Sequence, residues 1–137
     1  MGGQGRSQNR VVDRLVVERG NKMEDVVGEF TIDRKEWLRG EGVYQSYLLR
    51  ARDGKRCCVG IYLKACGMSD EELSGVTGAN EKPVCDLLPQ EAGWLLNWEL
   101  LGHLYVDNDE RSTSESEREE RIAEGFARNG IKVNFIG

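Results

Sequence analysis

The chain has 137 residues, of which 39% are hydrophobic and 31% charged, with a formal net charge of −5. This composition is that of an ordinary globular domain, and it excludes a disordered chain. No apolar run approaches the roughly 20 residues that a membrane-spanning helix needs, so a helix of that kind is not expected.

The first 22 residues differ from the rest in charge. They carry five basic and two acidic residues, a net of +3, which leaves −8 for residues 23–137. We expect a flexible basic extension over residues 1–22 and a single globular domain over 23–137. Glu18-Arg19-Gly20 can be encoded by purine-rich codons that resemble a bacterial ribosome-binding site. This gives the hypothesis that Met23 is the native start and residues 1–22 a translated leader.

The four cysteines are Cys57, Cys58, Cys66 and Cys85. They contain no Cys-x-x-Cys pair, which argues against a structural zinc site. Together with the lack of a secretory apolar segment, they predict reduced thiols in a cytoplasm. We expect neither a metal nor a cofactor.

Residues 29–32 alternate polar and apolar side chains and predict a short strand. Asp33 is then expected to cap a helix that ends at Gly40. Residues 43–50 are rich in strand-forming residues and lead into the turn signal Asp53-Gly54. The inward-facing residues of the predicted helix are Trp37 and Leu38.

The next helix is predicted from Cys57 to Gly67. Gly60 destabilises this helix by about 1 kcal/mol relative to alanine. We therefore expect another element to approach the helix closely at that point. Ser69, with Glu72 three residues later, predicts the start of a further short helix. The apolar face of the longer helix comprises Cys58, Ile61, Tyr62, Ala65 and Cys66.

The second half begins with residues 75–89, whose glycines and prolines predict an irregular connection. A single helical stripe follows, and then a polar loop over Asp107–Ser114. A last helix is capped by one of three serines and ends at Asn129-Gly130, before a closing strand over 131–136. The stripe comprises Trp94, Trp98, Leu101 and Tyr105. The three candidate caps are Ser112, Ser114 and Ser116.

These elements predict an α+β domain. We expect the strands near the two ends of the body to pair in one small sheet, packed against about four to five helices.

Three motifs occur in order along the chain: Asp-Gly-x-x-Cys-Cys-x-Gly at 53–60, Asn-Asp at 108–109 and Gly-Ile-x-Val-x-Phe at 130–135. With these motifs the chain resembles a group of small uncharacterised proteins that are common in bacteriophages and prophages. The resemblance covers most of residues 23–137. It implies a bacterial or phage setting and no established activity.

Cys57 is the one cysteine whose predicted position favours a reactive thiolate. At a helix start beside Arg56 and Lys55, a thiolate is stabilised. His103, the only histidine, and Asn108 supply the base and the orienting amide that a cysteine enzyme needs. A cysteine-dependent enzyme using Cys57, His103 and Asn108 is therefore the alternative function. The simpler interpretation is that the thiols pack as small apolar residues.

Two further patterns could suggest a metal, proton-relay or calcium site, but both have a simpler structural explanation. Glu99, His103 and Asp107 are four residues apart and would line one stripe of a continuous helix, where a metal or a proton relay could sit. The loop 107–110 offers oxygens for calcium, but it lacks the glycine and the terminal glutamate of an EF-hand. The first pattern is more typical of a solvated helix face, and the second is more typical of a turn.

Residues 106–121 hold seven acidic residues and three arginines, a net of −4. This acidic edge argues against direct nucleic acid binding and suits a partner with a basic surface. We therefore expect a small cytoplasmic, phage-type accessory protein that acts by protein–protein contact, with a host protein as the partner and homo-oligomers as a further option. The partner-binding residues predicted on the acidic edge are Asp107, Asp109, Glu110, Glu117 and Glu120.

Overall fold

The computed structural model describes residues 27–42 and 45–137, so the predicted extension 1–22 and the start-site hypothesis at Met23 lie outside the described residues. Two parallel strands bracket this part of the chain: β1 (Glu29–Asp33) and β2 (Lys132–Ile136). Their register places Phe30 opposite Val133 and Ile32 opposite Phe135. The pairing predicted between the two ends of the body is confirmed.

Helices fill the chain between the strands, and the α+β class is confirmed. The described residues hold more helical segments than the four to five expected, because several are only one turn long. None of the helices in the described ranges combines the length and the apolarity needed to cross a bilayer. The segments are α1 (Cys58–Ala65), α2 (Asp70–Leu73), α3 (Val84–Leu87), a 3-10 helix (Gln90–Leu96), α4 (Trp98–Leu101), α5 (Leu104–Asp109) and α6 (Glu115–Ala127).

Four aromatic rings join the sheet to the helices. Phe30 of β1 stacks edge-on against Tyr62 of α1 and Phe126 of α6, with ring centroids 5.3 and 4.9 Å apart. Trp94 of the 3-10 helix closes the group at 5.7 Å from Phe126. Edge-to-face pairs of this kind contribute beyond the apolar area they bury. The cluster therefore ties four distant segments into one core.

Helix α1 agrees with its prediction. The helix begins after Cys57 and ends before Gly67. The close approach expected at Gly60 is present, because the backbone of Leu48 lies directly against that glycine. Of the predicted apolar face, Ala65 is exposed and Ile61 only partly buried. The buried members are Cys58, Tyr62 and Cys66.

Side-chain caps set the starts of two helices. Ser69 and Glu72 form the complete capping box predicted for α2. At α6 the Ser114 hydroxyl accepts from the Glu117 amide at 3.2 Å, which selects Ser114 from the three candidate serines. Arg121 then pairs with Glu117 across one turn at 2.6 Å, as the four-residue spacing predicts.

The helix predicted to start at Asp33 is not present. Asp33 instead forms a turn in which its carboxylate accepts from the Lys35 amide at 3.0 Å. The backbone then runs beside the segment before α1, since the Leu38 amide donates to the Arg56 carbonyl at 2.7 Å and the Arg56 amide to the Glu36 carbonyl at 3.0 Å. These long-range bridges outweigh the local helix signal.

The strand predicted over residues 43–50 is also wrong where the structure can be compared. Residues 43 and 44 lie outside the described ranges, and the remainder makes only isolated bridges, from Leu49 to Ser74 and from Arg50 to Lys55. The Asp53-Gly54 turn is confirmed, because Gly54 has a φ of +74° and its amide donates to the Arg50 carbonyl at 2.8 Å.

Candidate functional site

Cys57 does not have the environment of a nucleophile. The residue is fully buried just before α1. Burial raises the pKa of its thiol from 9.0 to about 12, although backbone amides of Gly60 and Val59 oppose the shift. A reactive cysteine needs an accessible thiolate with a depressed pKa. Desolvation thus outweighs the helix-start position that suggested reactivity.

The two residues predicted to assist Cys57 have other surroundings. His103 is exposed and lines an open cleft with Asp107 and Arg128, at the place where α5 begins. Asn108 is completely buried, and its side chain bonds to other groups. Within the described residues no hydrogen bond joins His103 to Cys57. The structure therefore does not assemble the predicted catalytic set.

Thiol labelling checks this assignment. At pH 8, we expect a thiol-specific reagent to modify Cys85, which is partly exposed, while Cys57, Cys58 and Cys66 stay protected in the native state. Mass spectrometry of the labelled peptides gives the site and rate, and unfolding in guanidinium should expose all four. Labelling of native Cys57 as fast as Cys85 would contradict the buried, neutral thiol.

Asn108 is the centre of a buried polar group of contacts, which we call the Asn108 network. Its carbonyl oxygen accepts from the Trp37 indole N–H at 2.8 Å and from the Cys58 amide at 3.0 Å. Its side-chain amide donates to the Leu38 carbonyl at 2.9 Å. One side chain thus connects the end of α5, the start of α1 and the segment after β1. Its role is structural.

Four of the five carboxylates predicted on the acidic edge make contacts within the protein. Asp109 is 3% exposed, and its carboxylate accepts from the Ser46 hydroxyl at 2.7 Å, so this residue is corrected from the surface to the interior. Asp107 lies 3.7 Å from Arg121, and burial raises the pKa of its carboxyl against that attraction. Glu110 accepts from Ser112 at 2.8 Å.

Glu117 also has an internal partner, the Arg121 already described. Among the described residues, Glu120 is the one predicted partner-binding carboxylate that is exposed and makes no hydrogen bond or ion pair. A single carboxylate is a weak basis for recognition, because exposed ion pairs contribute little. The acidic edge is therefore not the best candidate for a binding surface.

The single helical stripe predicted from Trp94 to Tyr105 is broken into three pieces. Asn97 has an extended backbone and its side chain accepts from the Glu99 and Leu100 amides, which starts a new helix there. Gly102, with a φ of +65°, then separates α4 from α5. The same breaks separate Glu99 from His103 and Asp107. No group of three or more His, Cys, Asp or Glu side chains in the described ranges could hold a metal ion.

These breaks turn large apolar side chains outward. Trp98 is 75% exposed, and Leu96 and Leu100 are 48% and 50% exposed. We call these three side chains the Trp98 surface. Leu96 and Trp98 also line a small depression together with Leu101 and Tyr105. Leu96 and Trp98 share this depression, and exposed apolar side chains that lie together are typical of interaction sites.

The sequence contained the signal for this surface. An asparagine followed by Trp-Glu-Leu-Leu and then glycine has the N-cap and C-terminal residues of a separate one-turn helix. Once that helix is separate, the four-residue spacing of Trp94 and Trp98 no longer places both side chains on one helix face. Trp94 is 7% exposed and lies in the core.

Comparison with protein-family models, with curated proteins and with solved structures gave no significant match for this chain. The α+β class is therefore what the structure defines. The resemblance to small phage proteins stays a prediction.

Proposed function

We propose that this protein is a small protein–protein interaction module and that the Trp98 surface is its contact site. The observation that carries the proposal is the 75% exposure of Trp98, which lines one depression together with half-exposed Leu96. Burial of a large apolar side chain contributes about 1.5–3 kcal/mol to association. Tryptophan is also the residue type most enriched among interface residues that dominate binding energy.

The rest of the molecule supports a binding role rather than a loose fold. Trp37, Trp94 and the other large aromatic residues of the core are buried, so the exposure of Trp98 is specific to this segment. Chain segments on both sides of Trp98 are fixed: the Asn97 cap precedes it, and Leu101 behind it is 4% exposed. A rigid presentation lowers the entropic cost of binding.

Charge indicates the kind of partner. Glu99 is exposed next to Trp98 in α4, and Glu91 is exposed in the preceding 3-10 helix. Residues 23–137 carry a net charge of −8. The partner that fits is a protein with an apolar pocket for Trp98 and basic residues at its rim. The phage-type sequence pattern makes a bacterial host protein of this description the first choice.

Capture from a bacterial lysate tests the proposal when it is done with matched variants. Trp98→Ser is expected to weaken binding of the captured protein by about 2 kcal/mol or more, ~30-fold in affinity, while Trp98→Phe keeps most of it. Because Trp98 is exposed, the thermal midpoint should change little. The affinity of the captured protein, once purified, is measured by calorimetry.

Ile136→Ser is the matched control, since Ile136 is also an exposed apolar residue, at 52%, but lies at the end of β2. It should capture the same protein with unchanged affinity. Equal capture by wild type and Trp98→Ser would refute the site. If Trp98→Ser instead converted a dimer to a monomer in sedimentation experiments, the partner would be a second copy of this chain. That result would contradict the proposal that the partner is a different protein.

A further inference from the structure

The outer edge of β2 has no partner strand among the described residues. These residues form a two-stranded sheet, so β2 is paired on one side only. The Lys132 amide donates to the Gly28 carbonyl at 2.9 Å, which directs the backbone of Lys132 toward β1. Because the backbone groups of successive strand residues point to opposite sides, those of Val133 and Phe135 face away from β1. Neither makes a backbone hydrogen bond with a described residue on that side, so this edge can accept a further strand.

An apolar groove lies beside this edge. It encloses about 360 Å³, which is within the range of ligand-binding clefts. Ala123 and Ala127, one turn apart on α6, line it together with Ile131 and Val133. Because alanine side chains are short, the apolar side chains of an added strand would have room against α6. We call the outer backbone edge of β2 together with this groove the β2 edge site.

The chain that precedes the described residues reaches the structure at this groove. Gly28 lines the groove, and the described residues begin at Val27. Residues 11–17 have the sequence Val-Val-Asp-Arg-Leu-Val-Val, and their four valines favour a strand. The ten residues 18–27 that follow can span about 33 Å, and the whole of β2 is only about 17 Å long. This segment can therefore reach every part of the edge.

Charge favours the same segment. Residues 1–22 carry a net charge of +3 and the rest of the chain a net charge of −8. On α6, Glu120 and Glu124 are exposed near the groove, and neither carboxylate makes a hydrogen bond or ion pair with a described residue. The apolar run 11–17 is preceded by Arg10 and contains Arg14. A segment that brings both apolar side chains and arginines thus complements this site.

We propose that residues 11–17 add to the outer edge of β2 as an antiparallel strand and cover the groove on α6. The backbone groups of Val133 and Phe135 then pair with this segment, as in other cases of strand addition. An antiparallel direction returns the chain toward Gly28, where β1 begins. The proposal is an alternative to the translated-leader hypothesis, because a leader would have no folded role. It does not depend on the Trp98 surface.

Hydrogen exchange in the full 137-residue chain tests the proposal by NMR. The double variant Leu15→Asp, Val16→Asp removes an apolar side chain from each face of the segment and adds negative charge. We expect the Val133 and Phe135 amides to exchange at least about tenfold faster in this variant than in wild type. The amides of Phe30 and Ile32, which face β2, should keep their protection and so report that the β1–β2 pair is intact.

Gln4→Asp, Gln8→Asp is the matched control, since it adds the same charge outside residues 11–17. It should leave the exchange of Val133 and Phe135 as in wild type. If the two double variants gave equal exchange rates at these amides, the proposal would be wrong.

A spin label distinguishes this segment from the same segment of a second copy. The nitroxide is attached to Ala127→Cys, an exposed position beside the groove, in a Cys85→Ser background. We expect it to broaden the amide signals of residues 11–17 and not those of residues 4–8. Spin-labelled unenriched protein mixed with unlabelled isotope-enriched protein should show no broadening. Broadening in that mixture, or none within the labelled chain itself, would overturn the proposal.

Discussion

Gly60→Ala is expected to destabilise the protein by about 3 kcal/mol or more, although alanine is favoured over glycine in a helix by about 1 kcal/mol. A Cβ at residue 60 would lie 2.6 Å from both the Cα and the carbonyl carbon of Leu48, and nearer still to its carbonyl oxygen. Leu48 is fully buried, and its amide donates to the Val76 carbonyl at 2.7 Å. Neither backbone can retreat without breaking contacts of its own.

Gly93→Ala provides the matched comparison. Gly93 lies in the 3-10 helix, and a Cβ there would meet no atom within 4 Å. We expect its free energy of unfolding to stay within about 0.5 kcal/mol of wild type. Urea denaturation followed by circular dichroism measures both variants. If Gly60→Ala were as stable as Gly93→Ala, the close packing of α1 against Leu48 would be wrong.

Asn108→Ala is expected to cost about 3 kcal/mol. The substitution leaves the Trp37 indole N–H and the Cys58 amide without an acceptor, and both groups are buried. Each buried polar group left unpaired costs about 1–3 kcal/mol. The Leu38 carbonyl also loses the donor that Asn108 provides.

The control for this variant is Asn134→Ala, which removes an exposed hydrogen bond to Glu29 at 2.8 Å. Its cost should be within about 0.5 kcal/mol. The unfolding free energy distinguishes the two, and the indole proton of Trp37 should shift in the NMR spectrum of Asn108→Ala alone. An unchanged indole shift would show that the Trp37–Asn108 hydrogen bond is absent in solution.

Local signals were sufficient for the elements whose ends have strong caps. The Ser69 capping box, the Ser114 cap and the Asn129-Gly130 stop each correspond to an observed helix boundary. In contrast, the Asp33 signal failed because its helix would compete with the backbone hydrogen bonds from Glu36 and Leu38 to Arg56, 20 and 18 positions along the chain. Such long-range pairing has no local signature.

The candidate site was harder to predict for the same reason. Residue type alone placed Asp109 on an acidic edge and Cys57 in a thiol site, but tertiary contacts bury both. Spacing alone placed Trp98 on one helical stripe with Trp94, whereas the Asn97 cap starts a new helix in which Trp98 is exposed. Burial depends on how short elements are oriented, and periodicity carries no information about that once a helix breaks.

The Asn108 network joins α5 to α1, and the Gly60 contact packs α1 against the backbone of Leu48. Helix α4 is one turn long, with Leu101 buried and Trp98 75% exposed. The protein thus keeps a large apolar side chain in solvent, where it is available to a partner.

Site-specific photo-crosslinking at position 98 tests this central claim most directly. Benzoylphenylalanine replaces Trp98 in one sample and exposed Lys35 in another, and both are irradiated in bacterial cells. We predict one major covalent adduct with a different protein at position 98 and none of that adduct at position 35. No adduct at position 98, or the same adduct at both positions, would contradict the Trp98 surface as the contact site.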